Sequence, residues 1–299
     1  MTMKLAVGPV LYYWSREALL DFYAAVAGSA AEVVYLGEIV CSRRHSLRFD
    51  DWLGLARELR SAGKEVVLSS QALLESEAEL RALRQLAGNG EFAVEANDAG
   101  ALALLAGGTG FVAGPHLNVY NETTLAWIAE LGAKRWVPPV ELGREALRAL
   151  QKARPDGLET EVLAYGRLPL AFSARCFTAR HYDLPKDDCR FRCLDHPDGL
   201  PLATRDGEPF LTLNGTQTQS ARVYDLSTAI GELHELGVDI LRISPQASRF
   251  DEILSVFRGL IEGKLDAEDA RRRLEATRSV AACNGYWHGR PGMEHRIDA

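Results

Sequence analysis

No run of about 18 apolar residues occurs in the 299-residue sequence, so no segment has the length a bilayer-spanning helix requires. An excess of basic residues is missing as well. Lys and Arg number 34 against 41 Asp and Glu, giving a formal net charge of −7, so nucleic acid held by phosphate neutralisation is not expected. The fingerprint G-x-G-x-x-G does not follow the first strand-like run, which removes a dinucleotide-binding fold of that type. Neither a G-x-S-x-G elbow nor an H-E-x-x-H helix is present, so the common hydrolase signatures are absent. The N-terminal stretch shows no small-residue cleavage site, and the sequence reads as cytosolic. Cysteine is scarce and odd in number, five in all, which in a reducing compartment speaks against a disulfide framework and for ligand or redox roles.

What is present is an alternation of short β-rich apolar runs with amphipathic stretches. Strands are expected at 4–10, 32–36, 65–68, 92–95, 111–113, 135–137, 161–164 and 239–243. Helices are expected at 15–27, 50–62, 76–86, 121–131 and 144–152, with Ser76 and Glu79 forming a capping box. Eight strands alternating with helices over this length predict an α/β fold of the (β/α)8 TIM-like barrel type, with a doubly wound open sheet as the rival. Pro138 and Pro139 must then fall beyond strand six, because proline cannot donate to a central ladder. The chain reads as one barrel-like domain over 1–299, with a cysteine loop and hairpin insertion at 165–215 between strands seven and eight. Within the insertion, 200–203 and 209–213 flank Asp206-Gly207 as a hairpin, and 225–236 reads as the helix before the last strand. Helices follow at 249–261 and 266–278, then an irregular tail at 283–299.

Three of the five cysteines, Cys176, Cys189 and Cys193, share the insertion in the spacing C-x12-C-x3-C, among Arg175, Arg180, Lys186, Arg190 and Arg192. Several soft donors on one polar, irregular loop point to a metal or iron–sulfur site, since a loop can wrap a cluster where a helix cannot. Cys41 leaves strand two on the barrel face from which the insertion departs, and so supplies a fourth thiol. Four thiols suit a structural zinc or an iron–sulfur cluster. The single short pair with two lone cysteines fits a [4Fe-4S] cube better than the paired knuckles of zinc sites. His181 and His196 are substitute ligands within the loop, and Cys283 is left over as a small buried residue. Around the same barrel face, His116, Asn118, Glu141 and Arg167 are the candidate pocket residues.

The stretches YLGEIVCSRR, AGPHLNVYN, RWVPPVEL, ARCFTARHY, DDCRFRC and CNGYW, taken together, resemble the collagenase-like peptidase family of unknown catalytic type over nearly the whole chain. Within that family the likeness is to members that serve ubiquinone biosynthesis. The resemblance implies a [4Fe-4S] cluster on Cys41, Cys176, Cys189 and Cys193, with Cys283 spare. It implies a heterodimer with a paralogue of the same family, acting in oxygen-independent hydroxylation of a prenylated phenolic quinone precursor under anaerobic conditions. Related members hydroxylate RNA bases, and prephenate is implicated in the group as an oxygen source. Peptidase activity, which the family name carries, is not expected from these residues; the rival readings are a noncatalytic partner stabilised by its cluster and a peptidase-like hydrolase.

Overall fold

The strand-forming runs are short and apolar on both faces, as a parallel sheet covered by helices outside and by its own side chains inside requires. In the computed structural model, which describes residues 3–296, they form β1 (Lys4–Val7), β2 (Val33–Leu36), β3 (Glu65–Ser69), β4 (Ala93–Ala96), β5 (Phe111–Ala113), β6 (Ala133–Trp136) and β7 (Glu159–Phe172) in sequential, parallel order. The eighth barrel strand, β11 (Ile240–Ile243), pairs in parallel with both β7 and β1 and closes the ring. The molecule is thus a closed (β/α)8 barrel. Pro138 and Pro139 lie past the end of β6, so no ladder bond is lost to them.

Helices α1 (Arg16–Ala27), α2 (Phe49–Ser61), α3 (Glu77–Ala87), α4 (Ala99–Leu105), α5 (Glu122–Glu130) and α6 (Arg144–Lys152) follow the first six strands. Side chains of Ser15, Ser76, Asp98 and Asn121 accept first-turn N–H groups, satisfying donors that have no partner inside a helix. Glu79 returns the bond to Ser76, completing the expected box. Helix α4 is one that sequence periodicity leaves unannounced, because its seven residues are too few for a period to show.

Between β7 and β11 the chain builds α7 (Phe177–His181), two 3-10 turns, the antiparallel hairpin β8 (Leu200–Ala203) and β9 (Pro209–Asn214), and then β10 (Gln217–Asp225). β10 corrects the expected helix over 225–236: Asp225 ends a strand, and α8 (Ile230–Glu235) begins only after a 3-10 turn. Asp225 accepts the Ser227 N–H at 2.9 Å and pairs with Arg278 at 2.9 Å, which fixes a turn where a helix start was read. The strand escapes notice because many of its buried side chains are polar; Gln217 Oε1 accepts from Gln219 and Asn214, while Gln217 Nε2 and Gln219 Oε1 have no partner. β7 also runs on to Phe172, beyond the expected 161–164, because β10 pairs antiparallel with its extension. Helices α9 (Phe250–Ile261) and α10 (Ala267–Thr277) complete the outer layer, and the short β12 (Ala282–Cys283) lies parallel to β10.

The barrel interior is partly apolar, with Ala6, Val33, Val67, Val112, Val137 and Ile240 in one cluster around Tyr35. It is also laced by charge. Arg135 donates to Glu65, Glu159 and the Tyr35 hydroxyl, and Tyr35 donates to Glu161 at 2.5 Å. Arg242 then bridges Glu161 (2.6 Å) and Glu95 (2.8 Å), and Glu95 accepts from Ser69 and Asn97. Burial alone would push the Glu95 carboxyl up, but the Arg242 guanidinium beside it holds it below the usual range. This ladder runs from Lys4 at one end of the barrel to Ser69 and Asn97 at the mouth.

Candidate metal centre at the barrel mouth

The segment carrying Cys41 starts at Gly37, whose φ of +125° and 2.7 Å approach to the Ser69 carbonyl leave no room for a Cβ. Glu38 then caps the turn, accepting the N–H groups of Val40 (2.9 Å) and Cys41 (3.1 Å). Cys41 comes to rest half-buried against the apolar cluster of Leu11, Ile39 and Val40, which Ala72 and Phe172 also join.

The insertion supplies the other thiols from turns. Cys176 caps α7, its Sγ accepting the Ala179 N–H at 3.4 Å. Cys189 ends the 3-10 turn Lys186–Asp188, and Cys193 lies within the turn Arg192–Asp195. Between them Arg190 and Phe191 both adopt left-handed backbone, φ +52° and +51°, a conformation costing roughly 1–2 kcal/mol per non-glycine residue. Such strain persists only where the surroundings impose it.

Those surroundings are ties between insertion and barrel. Arg43 donates to the Asp187 carbonyl at 2.7 Å, Lys186 pairs with Glu75, and Trp14 donates to the Pro197 carbonyl at 2.7 Å. Gly215 accepts the Phe177 N–H at 2.7 Å and donates to Thr178 at 2.9 Å. The effect is to hold the insertion against the loop after β2. Cys41 and Cys176 lie within electrostatic reach of each other, as do Cys176, Cys189 and Cys193. Burial pushes the Cys41 thiol up to about 11 and raises that of Cys176.

Arg44 stands among them. It is 6 % exposed, and its guanidinium faces Cys193 and Cys41 as well as Glu38. Its Nη1 donates to the Leu11 carbonyl and its Nη2 to Asn214 Oδ1, both at 2.7 Å, while Nε is buried with no hydrogen-bond partner. The donor set therefore comprises four free thiols, one buried cation and an N–H without a protein acceptor, which is chemistry suited to an anionic thiolate-bound group. Among the described residues, no three His, Cys, Asp or Glu side chains gather closely enough to hold one metal ion.

His181 and His196 are engaged elsewhere: His181 packs edge-on against Tyr182, and His196 Nε2 is 2.6 Å from the Tyr182 hydroxyl. Cys283, fully buried in β12, has its thiol pushed up to about 12 by burial and stands apart in the fold.

Three cavities open at the same end of the barrel. His116, Asn118 and Glu141 line one of about 240 Å³, together with Phe172 and Pro169. Arg167 is not part of it; it lines a cavity of about 310 Å³ with Tyr12, Asp198 and Arg278, and a small one of about 40 Å³ with His116, Asn97, Glu95 and Arg242. Ala72 and Phe172 line the His116 cavity and also pack on the cluster holding Cys41, so one apolar wall separates thiols from cavity. Burial pushes the His116 imidazole down to about 4, leaving it neutral near pH 7, edge-on to Phe172 at 4.8 Å. The mouth residue missed by sequence reasoning is Arg242, whose Nη2 has no partner. Its signal was a lone arginine in the otherwise apolar run ILRI.

A family model described as peptidase family U32 matches residues 19–297. Among solved structures, the U32 peptidase Mk0906 is similar at 13 % identity over 82 % of this chain and 94 % of that one, with a TM-score of 0.46. Dihydrodipicolinate synthase from Aquifex aeolicus aligns at 7 % identity over 92 % of this chain and 80 % of that one, with a TM-score of 0.39. The spore cortex-lytic enzyme SleL of Bacillus megaterium aligns at 13 % identity over 88 % and 75 %, with a TM-score of 0.42. Among the described residues no helix is long and apolar enough to cross a membrane.

Proposed function

The chain belongs to peptidase family U32, and from that premise we propose that it is a UbiV-like iron–sulfur subunit of an oxygen-independent hydroxylation system in ubiquinone biosynthesis, paired with a UbiU-like paralogue. The observation that carries the cluster is the meeting of Cys41, from the loop after β2, with Cys176, Cys189 and Cys193, more than a hundred residues later, around one buried arginine. The ring-hydroxylation role rests on the likeness of GEIVCSRR and the C-x12-C-x3-C loop to the ubiquinone-associated members of the family.

Cys41, Cys176, Cys189 and Cys193 would hold the cluster, which when bound supplies one-electron transfer. A single tetrahedral zinc would draw its sulfurs to about 3.8 Å from one another given a Zn–S bond of about 2.3 Å. The one short cysteine pair with two lone cysteines supports a cube over the paired knuckles of a zinc site. With every iron held by a protein thiolate, no open position is left for substrate. The chain's own residues would therefore divide the work: the four thiols would hold the cluster, and the His116 cavity offers a neutral imidazole and an apolar Phe172 face to a ring-bearing substrate.

The test is protein purified under nitrogen and assayed for iron, acid-labile sulfide and the EPR signal of its reduced form. About four irons and four sulfides per chain, lost in each of Cys41→Ala, Cys176→Ala, Cys189→Ala and Cys193→Ala, is the expected result. Protein without iron or sulfide, or with air-stable zinc instead, overturns it. Hydroxylation of a prenylated phenol by the complex with its paralogue, abolished in cluster-free variants that still form the complex, separates a working subunit from a scaffold. Peptide hydrolysis surviving Cys176→Ala and Cys193→Ala would instead support a hydrolase.

A further inference from the structure

Five arginines flank the thiols in sequence, and their surroundings differ enough to choose among them. Arg190 reaches into solvent with its side chain 70 % exposed. Arg192 covers the Tyr182 ring at 4.3 Å and pairs with Asp195 at 3.0 Å. Arg43 is committed to Asp187, through both its carbonyl and its carboxylate. Arg175 is an exposed residue. Arg44 alone among them is buried, and it faces a thiol from each of the two segments that make the site, Cys41 from the β2 loop and Cys193 from the insertion.

Its position is enforced from three sides. The Leu11 carbonyl, beyond β1, takes Nη1; Asn214 Oδ1, at the end of β9, takes Nη2; and Asn214 is itself held by bonds to Leu11 and Gln217. Gly215 makes room: its φ is +65°, and a Cβ there would stand 2.9 Å from Arg44 Nη2. Among the described residues Glu38 alone opposes the charge by an ion pair, at 3.5 Å, and its carboxylate is already shared with the N–H groups of Val40 and Cys41.

From this geometry we infer that Arg44 is a positioning residue that sets the reduction potential of the thiolate-held cluster, by presenting a fixed, buried positive charge beside Cys193 and Cys41. The inference rests on the cluster reading above. A fixed cation and N–H donors directed at the sulfurs favour the more negative, reduced state and so raise the potential. A lysine keeps the charge but has no planar fork to occupy Leu11, Asn214 and the thiols together.

The experiment is an EPR-monitored redox titration of the full chain, loaded under nitrogen, with Arg44→Gln, Arg44→Lys, Asn214→Ala and Arg190→Gln. Arg44→Gln is expected to move the midpoint to more negative potential, Arg44→Lys to move it less, and Asn214→Ala, which frees Nη2, to move it in the same direction. Arg190→Gln is expected to leave it unchanged. Should Arg44→Gln not retain iron, Arg44→Lys and Asn214→Ala give the reading. An unchanged midpoint in the loaded Arg44 variants, or an equal shift from Arg190→Gln, overturns the inference while leaving the cluster standing. A parent protein without iron removes the cluster reading itself, so the two failures are distinguishable.

Discussion

Two regions of this barrel bury arginine, and they use it in opposite ways. In the interior, Arg135 and Arg242 are spent on carboxylates: Glu65, Glu159 and Glu161 surround the first, Glu161 and Glu95 the second. At the mouth, Arg44 has one longer ion pair, two bonds to neutral oxygens and a free Nε, and it faces thiols. Arg135 and Arg242 answer carboxylates of the barrel itself, although Arg242 keeps an Nη2 without a partner, whereas Arg44 lies beside free thiols that the proposed function assigns to a binding site.

The sharpest way to break that contrast is to remove one thiol. Cys176→Ala is expected to abolish iron binding while the barrel remains folded, because the thiol caps only the five-residue α7. Cys283→Ala, deep in β12, is expected to keep the full iron content, measured alongside by metal analysis. The next effect belongs to the interior. Arg242→Ala takes the ion pair from Glu95 and one of two from Glu161, both 0 % exposed, and breaking a buried pair in this way costs about 3–5 kcal/mol, read by urea unfolding. Arg44→Ala in the iron-free protein is expected to cost less, since its carboxylate partner Glu38 is partly exposed and keeps two backbone donors. Equal losses from the two would erase the distinction between ladder and mouth.

How far the sequence foretold this depends on which signal each element leaves. The eight barrel strands were legible because each is a short β-branched run bounded by turn residues. That Cys41 and the insertion both leave the same end of the barrel was legible because parallel strands of a barrel all end on one face. The ladder was not read. Its charges sit singly inside apolar runs, Glu95 in AVEA, Arg135 in AKRW and Arg242 in ILRI. Only the alternation of inward and outward positions, applied strand by strand, would have shown that they share the barrel axis. β10 was hidden for a related reason: Gln219 donates to Gln217 in its buried part, and a hydrophobic pattern cannot report polar groups that meet only after folding. Arg167 was grouped with His116, Asn118 and Glu141 by its place after strand seven. It shares the small cavity with His116, lines the larger one apart from Asn118 and Glu141, and donates to the carbonyls of Ser220 and Ala221.

A smaller effect tests whether the His116 wall is as dry as the thiol side. Its imidazole is held down to about 4 by burial, against about 6.5 when unfolded. The unfolded chain therefore takes up a proton between those values that the folded chain refuses, so this histidine's contribution to stability is present above pH 6.5 and is lost as pH falls towards 4. Unfolding midpoints measured across that window should fall more steeply for the parent than for His116→Phe, by at most about 1.4 kcal/mol per pH unit. Equal slopes would mean that the imidazole is hydrated and the cavity open.

The smallest expected change sharpens the contrast from outside. Arg190 stands beside the ligand loop in sequence, yet its side chain is 70 % exposed and lies 4.0 Å from Asp188. Its backbone is left-handed, and glutamine meets the same cost there as arginine, so Arg190→Gln leaves the local strain unaltered. Unfolding free energy should shift by no more than about 0.5 kcal/mol, as for a solvated pair. Bound iron should be unchanged. If instead this substitution releases iron while Arg44→Lys does not, the charge that matters at the mouth is the exposed one, and the distinction between a buried cation and its solvated neighbours fails.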